Sequence, residues 1–310
     1  MKHVRIFFSI FVFICTVGMP ISFSQPTSWS VVSSAKQEVP FPDIPGYQTL
    51  KCDLHSHTVF SDGLVWPTVR VEVAWREDLD VLVISDHIEY QPHREDIPTN
   101  LNRSYQLASG SAASKNILMP RGTEITRDTP PGHFNAIFLE DIEPVSTELF
   151  IDSIEAANKQ GAFVFWNHQA WQGEERGKWL DVHTEINEKG WLHGMEVCNG
   201  DEYYPTAHQW CLEKNFTMLG NSDIHQPSLL TESTPEKHRT VTLVFVKDRT
   251  LAALKEALFA GRTAVWYKNQ LIGRKEYLEP LFANSIEISA PYISTPDTNC
   301  YEITNKTAID

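Results

Sequence analysis

DVLVISDH, residues 80–87, is apolar without a break from Val81 to Ile84, then turns polar at Ser85, Asp86 and His87. A strand with one solvated face alternates apolar and polar residues. A run that does not alternate reads as a strand covered on both faces, as in a sheet packed between helices. The same grammar recurs on both sides of it, in TLKCDLH (49–55), NILMPRGTEI (116–125), GHFNAIFLE (132–140), AFVFWNH (162–168), GMEVCNG (194–200), FTMLGNSDIH (216–225), RTVTLVFV (239–246) and TAVWYKN (263–269). Helical spacing separates several of these runs: 67–79, opened by Pro67; 146–159, with Leu149, Ile151, Ile154 and Ala157 on one face; 206–214; and 250–261. Parallel strands separated by helices predict an α/β barrel or an open doubly wound sheet. No Gly-rich phosphate fingerprint follows the first strand, which argues against dinucleotide binding. After Glu279 the pattern changes to short strand-like alternation, predicting a small β appendage that stops mid-pattern.

The chain has 310 residues, 42% of them apolar and 21% charged, enough for a substantial core in one barrel-sized domain. Its formal net charge is −14, and no basic run offsets it. That balance argues against a non-specific grip on a nucleic-acid backbone, which is mostly cationic. Residues 1–24 carry Lys2 and Arg5, an apolar run from Ile6 to Val17 and a small-residue site before Gln25. They read as a cleaved secretory signal, which implies export to the periplasm or beyond and no membrane span afterwards. The Ser- and Pro-rich residues 25–46 read as a linker, 47–275 as the main domain and 276–310 as the β extension. Cys52, Cys198, Cys211 and Cys300 have no paired spacing; buried thiols are the expectation, with one bridge left open.

The chemistry collects at the ends of the predicted strands. His55 and His57 end the first and Asp86-His87 the second; Glu124 ends the third and His133 opens the next. His168 follows AFVFWN, Glu196 lies in GMEVCNG, and Asp223 and His225 end FTMLGNSD. In a parallel barrel the carboxyl ends of the strands share one mouth, so residues scattered in sequence meet there. Two imidazoles at i and i+2 on a strand point to one face, which suits a metal. Six of the twelve histidines fall in this pattern, too many for chance. Nitrogen and carboxylate ligands without thiolate suit zinc, manganese or iron. The remaining histidines, including His183 and His193, read as surface, cap or packing.

DLHSHTVFSDG (53–63), VISDHIEY (83–90), RGTEIT (121–126), PGHFNAI (131–137), WNH (166–168) and GNSDIH (220–225) resemble the metal-binding motifs of the polymerase and histidinol phosphatase (PHP) family, from about Leu50 to Tyr267. The resemblance implies a distorted (β/α)7 TIM-like barrel with three divalent ions and phosphoesterase activity. By position it implies that His55, His57, Glu124 and Asp223 hold one ion. Glu124 bridges to a second ion held with His133 and His168, and Asp62, His87 and His225 take a third. Asp62 stands where some members have histidine. Hydroxide formed between such ions would attack phosphorus in line with the leaving alkoxide, and the ions would draw an anionic ester into an acidic protein.

Around this centre, Arg127 is the expected phosphate clamp, with Glu124 and Asp223 as catalytic metal ligands, and Trp171, Asn199, Tyr203 and Tyr204 are the expected pocket. Asp53 either orients a ligand histidine or caps backbone. The variants GTEITRDTPPGHFNAIF (122–138) and EALFAGRTAVWYKNQLIGRKEYLEPLF (256–282) resemble those of secreted bacterial PHP phosphodiesterases. The expected substrate is thus a small organic phosphodiester. A phosphomonoesterase on sugar, nucleoside or histidinol phosphate is the near alternative. An amidohydrolase, which also carries His-x-His after its first strand, is a further one. A non-catalytic module that kept the fold would be expected to have lost ligands, and none is missing.

Overall fold

The computed structural model describes residues 36–228, 234–235 and 237–309. The expected signal, 1–24, lies outside the described residues, as does the expected linker up to residue 35. From Lys36 to Gly46 the chain is not a free tether. Val39 and Ile44 are buried, and Val39 N donates to Asp78. Two apolar anchors in a Pro-rich stretch are enough to lay it on the domain.

Among the described residues before 275, the strands form two sheets. The first runs β11-β10-β9-β1-β2, with β1 Gln48–Asp53, β2 Val81–Leu82, β9 Val241–Val246, β10 Thr263–Tyr267 and β11 Gln270–Gly273. The second runs β3-β4-β5-β6-β7, with β8 also on β6; these are β3 Gly122–Thr126, β4 His133–Ile137, β5 Phe163–Trp166, β6 Gly194–Asn199, β7 Glu202–Tyr203 and β8 Thr217–Asn221. Parallel pairs are β1–β2, β5–β6 and β6–β8. The others are antiparallel, so the all-parallel expectation is corrected to a mixed α/β fold. The reason is partly connection length. Only residues 127–132 join β3 to β4, and a parallel return needs about a dozen residues. As paired strands these are two sheets rather than one closed ring. They meet through isolated parallel bridges, Val81 with Leu118 and His87 with Glu124 at one seam, Ser56 with Ile224 at the other.

Residues 80–87 show why the opening run lacks alternation. Val81 and Val83 join an apolar cluster with Leu50, Cys52, Leu54, Ile137, Phe165, Leu219 and Val244, drawn from both sheets. Leu82 and Ile84 point the other way, into a cluster with Val71, Ala74, Ala108, Ala112 and Leu281. The ladder ends at Leu82, but Val83 N still donates to Asp53 O and Ser85 N to Ser56 O.

The helices are α1 Pro67–Arg76, α2 Arg103–Ser114, α3 Phe150–Lys159, α4 Asp181–Glu188, α5 Pro205–Lys214, α6 Leu251–Phe259 and α7 Lys275–Ser285. Proline stands in the first turn of α1 and α5, where no amide partner is needed. Thr250 caps α6 by accepting from Ala253 N. Beyond α7 come two short antiparallel ladders, β12 Ile286–Ile288 with β15 Ile303–Asn305, and β13 Ile293–Ser294 with β14 Asn299–Cys300. All four cysteines in the described residues are free, and only Cys300 is not buried. No helix of the described residues is long and apolar enough to cross a membrane.

Candidate metal centre

One end of the sheets gathers the polar residues. His55 and His57 leave β1, His87 leaves the β2 run, and Glu124 lies in β3. His133 opens β4, His168 follows β5, and Asp223 and His225 follow β8. Asp62 returns to this group through a tight turn in which the Ser61 and Gly63 amides both donate to Thr58 O. Gly63 is obligatory there, because a Cβ would stand 2.6 Å from both His57 C and Thr58 N. Buried Asp86 fixes the turn from below, accepting from Thr58 N, Thr58 Oγ1 and Ser61 Oγ.

The ligand atoms converge. Nε2 of His55 and Nε2 of His57 are 3.0 Å apart. Glu124 Oε2 lies 3.1 and 3.3 Å from them, and Asp223 Oδ1 lies 3.2 and 3.0 Å away. A tetrahedral ion with bonds of ~2.0–2.1 Å separates its ligand atoms by about 3.3 Å, and each of the two carboxylate oxygens stands near that spacing from both imidazole nitrogens. The other oxygen of Glu124, Oε1, faces His133 Nδ1 at 2.9 Å and His168 Nε2 at 3.7 Å. On the opposite side, Asp62 Oδ1 lies 3.2 Å from His225 Nε2 and 3.4 Å from His87 Nε2. Four overlapping groups, each with ligand atoms within 4.8 Å, cover all nine residues named from the sequence.

Burial and charge tell the same story. Asp62 Oδ1, Asp223 Oδ1 and His168 Nδ1 are buried without a hydrogen-bond partner. Such orphans are costly unless a further group satisfies them, so the donor set fits divalent cations. Burial works against charge on the imidazoles, yet the surrounding carboxylates outweigh it. His55, His168 and His225 are raised, and His87 is pushed up to about 10 by Glu124 and Asp62. Despite the same burial, the imidazoles hold Glu124, Asp223 and Asp62 well below the usual carboxylate range. Asp223 and His168 also take left-handed backbone, φ 51° and 26°, which costs a non-glycine residue of order 1 kcal/mol or more. Hydrogen bonds from Asp223 N to His55 O and from His168 N to Glu196 hold them there.

No protein-family model and no curated protein matches the chain. Solved structures do. A two-domain protein from Bacteroides vulgatus, containing a predicted PHP-like metal-dependent phosphoesterase, is 46% identical with a TM-score of 0.84, over 88% of this chain and 80% of that one. The chain belongs to the PHP-like metal-dependent phosphoesterases. PsfC from Pseudomonas syringae (13% identity, TM-score 0.48, 76% and 96% covered) and a lesion-specific endonuclease from Pyrococcus furiosus (16%, 0.45, 79% and 62%) are too distant to say more.

This PHP-like chain supports its centre with residues the sequence left in doubt or passed over. Glu196 is buried behind His55 and accepts from its Nδ1 at 2.9 Å. It also accepts from Asn221 Nδ2, Asn199 Nδ2 and His168 N, so its oxygens are fully engaged. A carboxylate on Nδ1 leaves Nε2 as the free lone pair of His55. Thr126 Oγ1 stands 2.5 Å from His87 Nδ1. Asp53 holds backbone rather than a ring: it accepts from Ser222 N and Oγ and from His55 N, and pairs with Arg239.

A cavity of about 280 Å³ opens over the centre, walled by Trp171, Asn199, Glu202 and Tyr204. Glu202 was not foreseen. Two expectations are corrected, the phosphate clamp and one pocket residue. Arg127 faces away, donating to Thr147 O and Ser153 Oγ and pairing with Glu89 at 3.1 Å. It lies an odd number of residues past Glu124, and side chains alternate along a strand, so it takes the opposite face. Tyr203 is 42% exposed and bonds His208, again by parity with Glu202 and Tyr204.

Proposed function

We propose that the protein is an exported phosphodiesterase that hydrolyses small organic phosphodiesters with three divalent ions, zinc, manganese or iron. His55, His57, Glu124 and Asp223 would hold the first ion. His133 and His168 would share Glu124 with it to hold the second, and Asp62, His87 and His225 would hold the third. The observation that carries the reading is the division of Glu124, one oxygen toward the His55–His57 pair and the other toward His133 and His168. The two seams between the sheets favour a distorted (β/α)7 barrel as the frame.

Bound divalent ions supply Lewis-acid charge and lower the pKa of coordinated water. The chain supplies the rest. Glu196 fixes the tautomer of His55, Asp86 fixes the turn carrying Asp62, and Asn199 Nδ2 reaches Asp223 Oδ2 at 3.3 Å. In the hydrolysis, water adds hydroxyl to phosphorus and the departing alkoxide takes the proton.

The diester is favoured over the monoester by space. A second cavity, about 550 Å³, meets the first at Asp223 and His225. A phosphorus held there has room for a substituent on each side. Export rests on residues 1–24 alone. The test compares bis-p-nitrophenyl phosphate with p-nitrophenyl phosphate, using protein from Gln25 onward, reloaded with manganese or zinc, and His57→Ala as control. Faster metal-dependent diester turnover is expected. Faster monoester turnover would turn the reading to a phosphomonoesterase, and no p-nitrophenol release from either would send it to amide and lactone substrates.

A further inference from the structure

Glu202 is the lining carboxylate that the metal centre does not use. Asp62 and Asp223 face the imidazoles, whereas Glu202 stands on β7, opposite Asn199 of β6 in the ladder. Its Oε2 accepts from the hydroxyl of Tyr204 at 2.7 Å. Burial and this carboxylate together push the Tyr204 phenol up, so it stays a donor. The Trp171 ring, 47% exposed, stands at the mouth 5.5 Å from the ring of His133. No lysine or arginine lies among the described residues of this wall.

This arrangement has a chemical meaning once the phosphate is assigned to the cluster. An anionic arm on the ester would meet an unneutralised carboxylate. A neutral arm would leave Glu202 unmatched. An ammonium arm meets a carboxylate held by Tyr204, with indole and phenol rings lining the same space, and aromatic faces attract cations. We propose that Glu202 is a specificity-determining residue that selects phosphodiesters whose substituent carries an amine or quaternary ammonium group, that is, amino-alcohol esters. The proposal rests on the phosphodiesterase reading for its chemistry, but the charge preference is separable from turnover.

The experiment uses metal-loaded protein from Gln25 onward, wild type and Glu202→Gln. Glu202 is exposed on a two-residue strand, so the variant is expected to fold, which circular dichroism checks. Turnover of p-nitrophenyl phosphorylcholine is compared with that of methyl p-nitrophenyl phosphate, which has the same leaving group and a neutral arm. Wild type should prefer the choline ester. Glu202→Gln should reduce kcat/KM on it about fivefold, mostly through KM, with less than about a twofold change on the methyl ester; an exposed ion pair contributes roughly that much. Equal changes on both esters, or no wild-type preference, overturn the proposal. Calorimetry with phosphorylcholine and methyl phosphate gives the second readout. If neither ester is hydrolysed yet phosphorylcholine binds more tightly and Glu202→Gln removes the difference, the phosphodiesterase reading falls and the role of Glu202 stands. If calorimetry shows no difference that depends on Glu202, the role of Glu202 falls.

Discussion

Arg70 holds His57 by its backbone: Nε and Nη2 of the buried guanidinium donate to the His57 carbonyl at 3.1 and 2.8 Å. Nη2 also reaches the His225 carbonyl, and Nη1 the Gln226 carbonyl. One side chain from α1 thus ties together the segments carrying His57 and His225, which are far apart in the sequence. Arg70→Met removes the guanidinium from three carbonyls, of which that of His225 keeps the Leu64 amide. Each lost bond to a buried group costs roughly 1–3 kcal/mol, with partial compensation by water. The expected outcome is a loss of about 2–4 kcal/mol in urea unfolding and a metal content below that of wild type. Lysine has no planar fork, so Arg70→Lys should restore little. Wild-type metal content in either variant would refute a role for Arg70 in placing these residues.

Glu196 acts on the centre through His55. Glu196→Gln keeps the shape but replaces an acceptor that fixes the Nδ1 proton, and it faces two amides, Asn199 and Asn221, with a third. Loss of such a partner typically lowers metal affinity ~10–100-fold. Chelator competition should show that drop, while the circular dichroism spectrum stays unchanged.

The sequence reveals the centre because its residues sit where buried strands end, and that position is visible in a run such as DVLVISDH. What it conceals depends on facing. Glu196 and His55 are 141 positions apart, and nothing local marks them as partners. Arg127 attracts attention by nearness to Glu124, but strand parity turns it outward. Helix α2 escapes notice because its buried face is Ser104, Ala108 and Ala112, small residues with little hydropathic contrast. The antiparallel β3–β4 pair was legible in principle, since six residues cannot carry a crossover.

Gly63→Ala tests the turn that delivers Asp62. The new methyl would enter the backbone of His57 and Thr58 at 2.6 Å, where no flexible side chain can yield. Overpacking of this kind typically costs ~1–3 kcal/mol. Because the displaced segment carries Asp62, the variant should lose metal from the group of Asp62, His87 and His225 first. Elemental analysis should show about one ion fewer per chain, with the other groups still filled. A full complement would show that the turn can shift without moving Asp62.

The metal-free protein should respond to pH in a direction opposite to ordinary acid denaturation. His87 is raised to about 10, so the folded state holds its proton more tightly than the unfolded chain does. Between the usual imidazole value near 6.5 and about 10, the folded state therefore binds more protons, and stability falls as pH rises. The contribution is fully present below about pH 6.5 and gone above about 10. His55, His168 and His225 are raised for the same reason and add to the trend. A bound cation takes the place of those protons, so the loaded protein should lack this slope and should release protons on loading near pH 7. Thermal unfolding of chelated and metal-loaded samples from pH 6.5 to 9.5 measures the difference. The Tm gap between them should widen steadily with pH; a constant gap would mean that the imidazoles carry no proton in the metal-free fold.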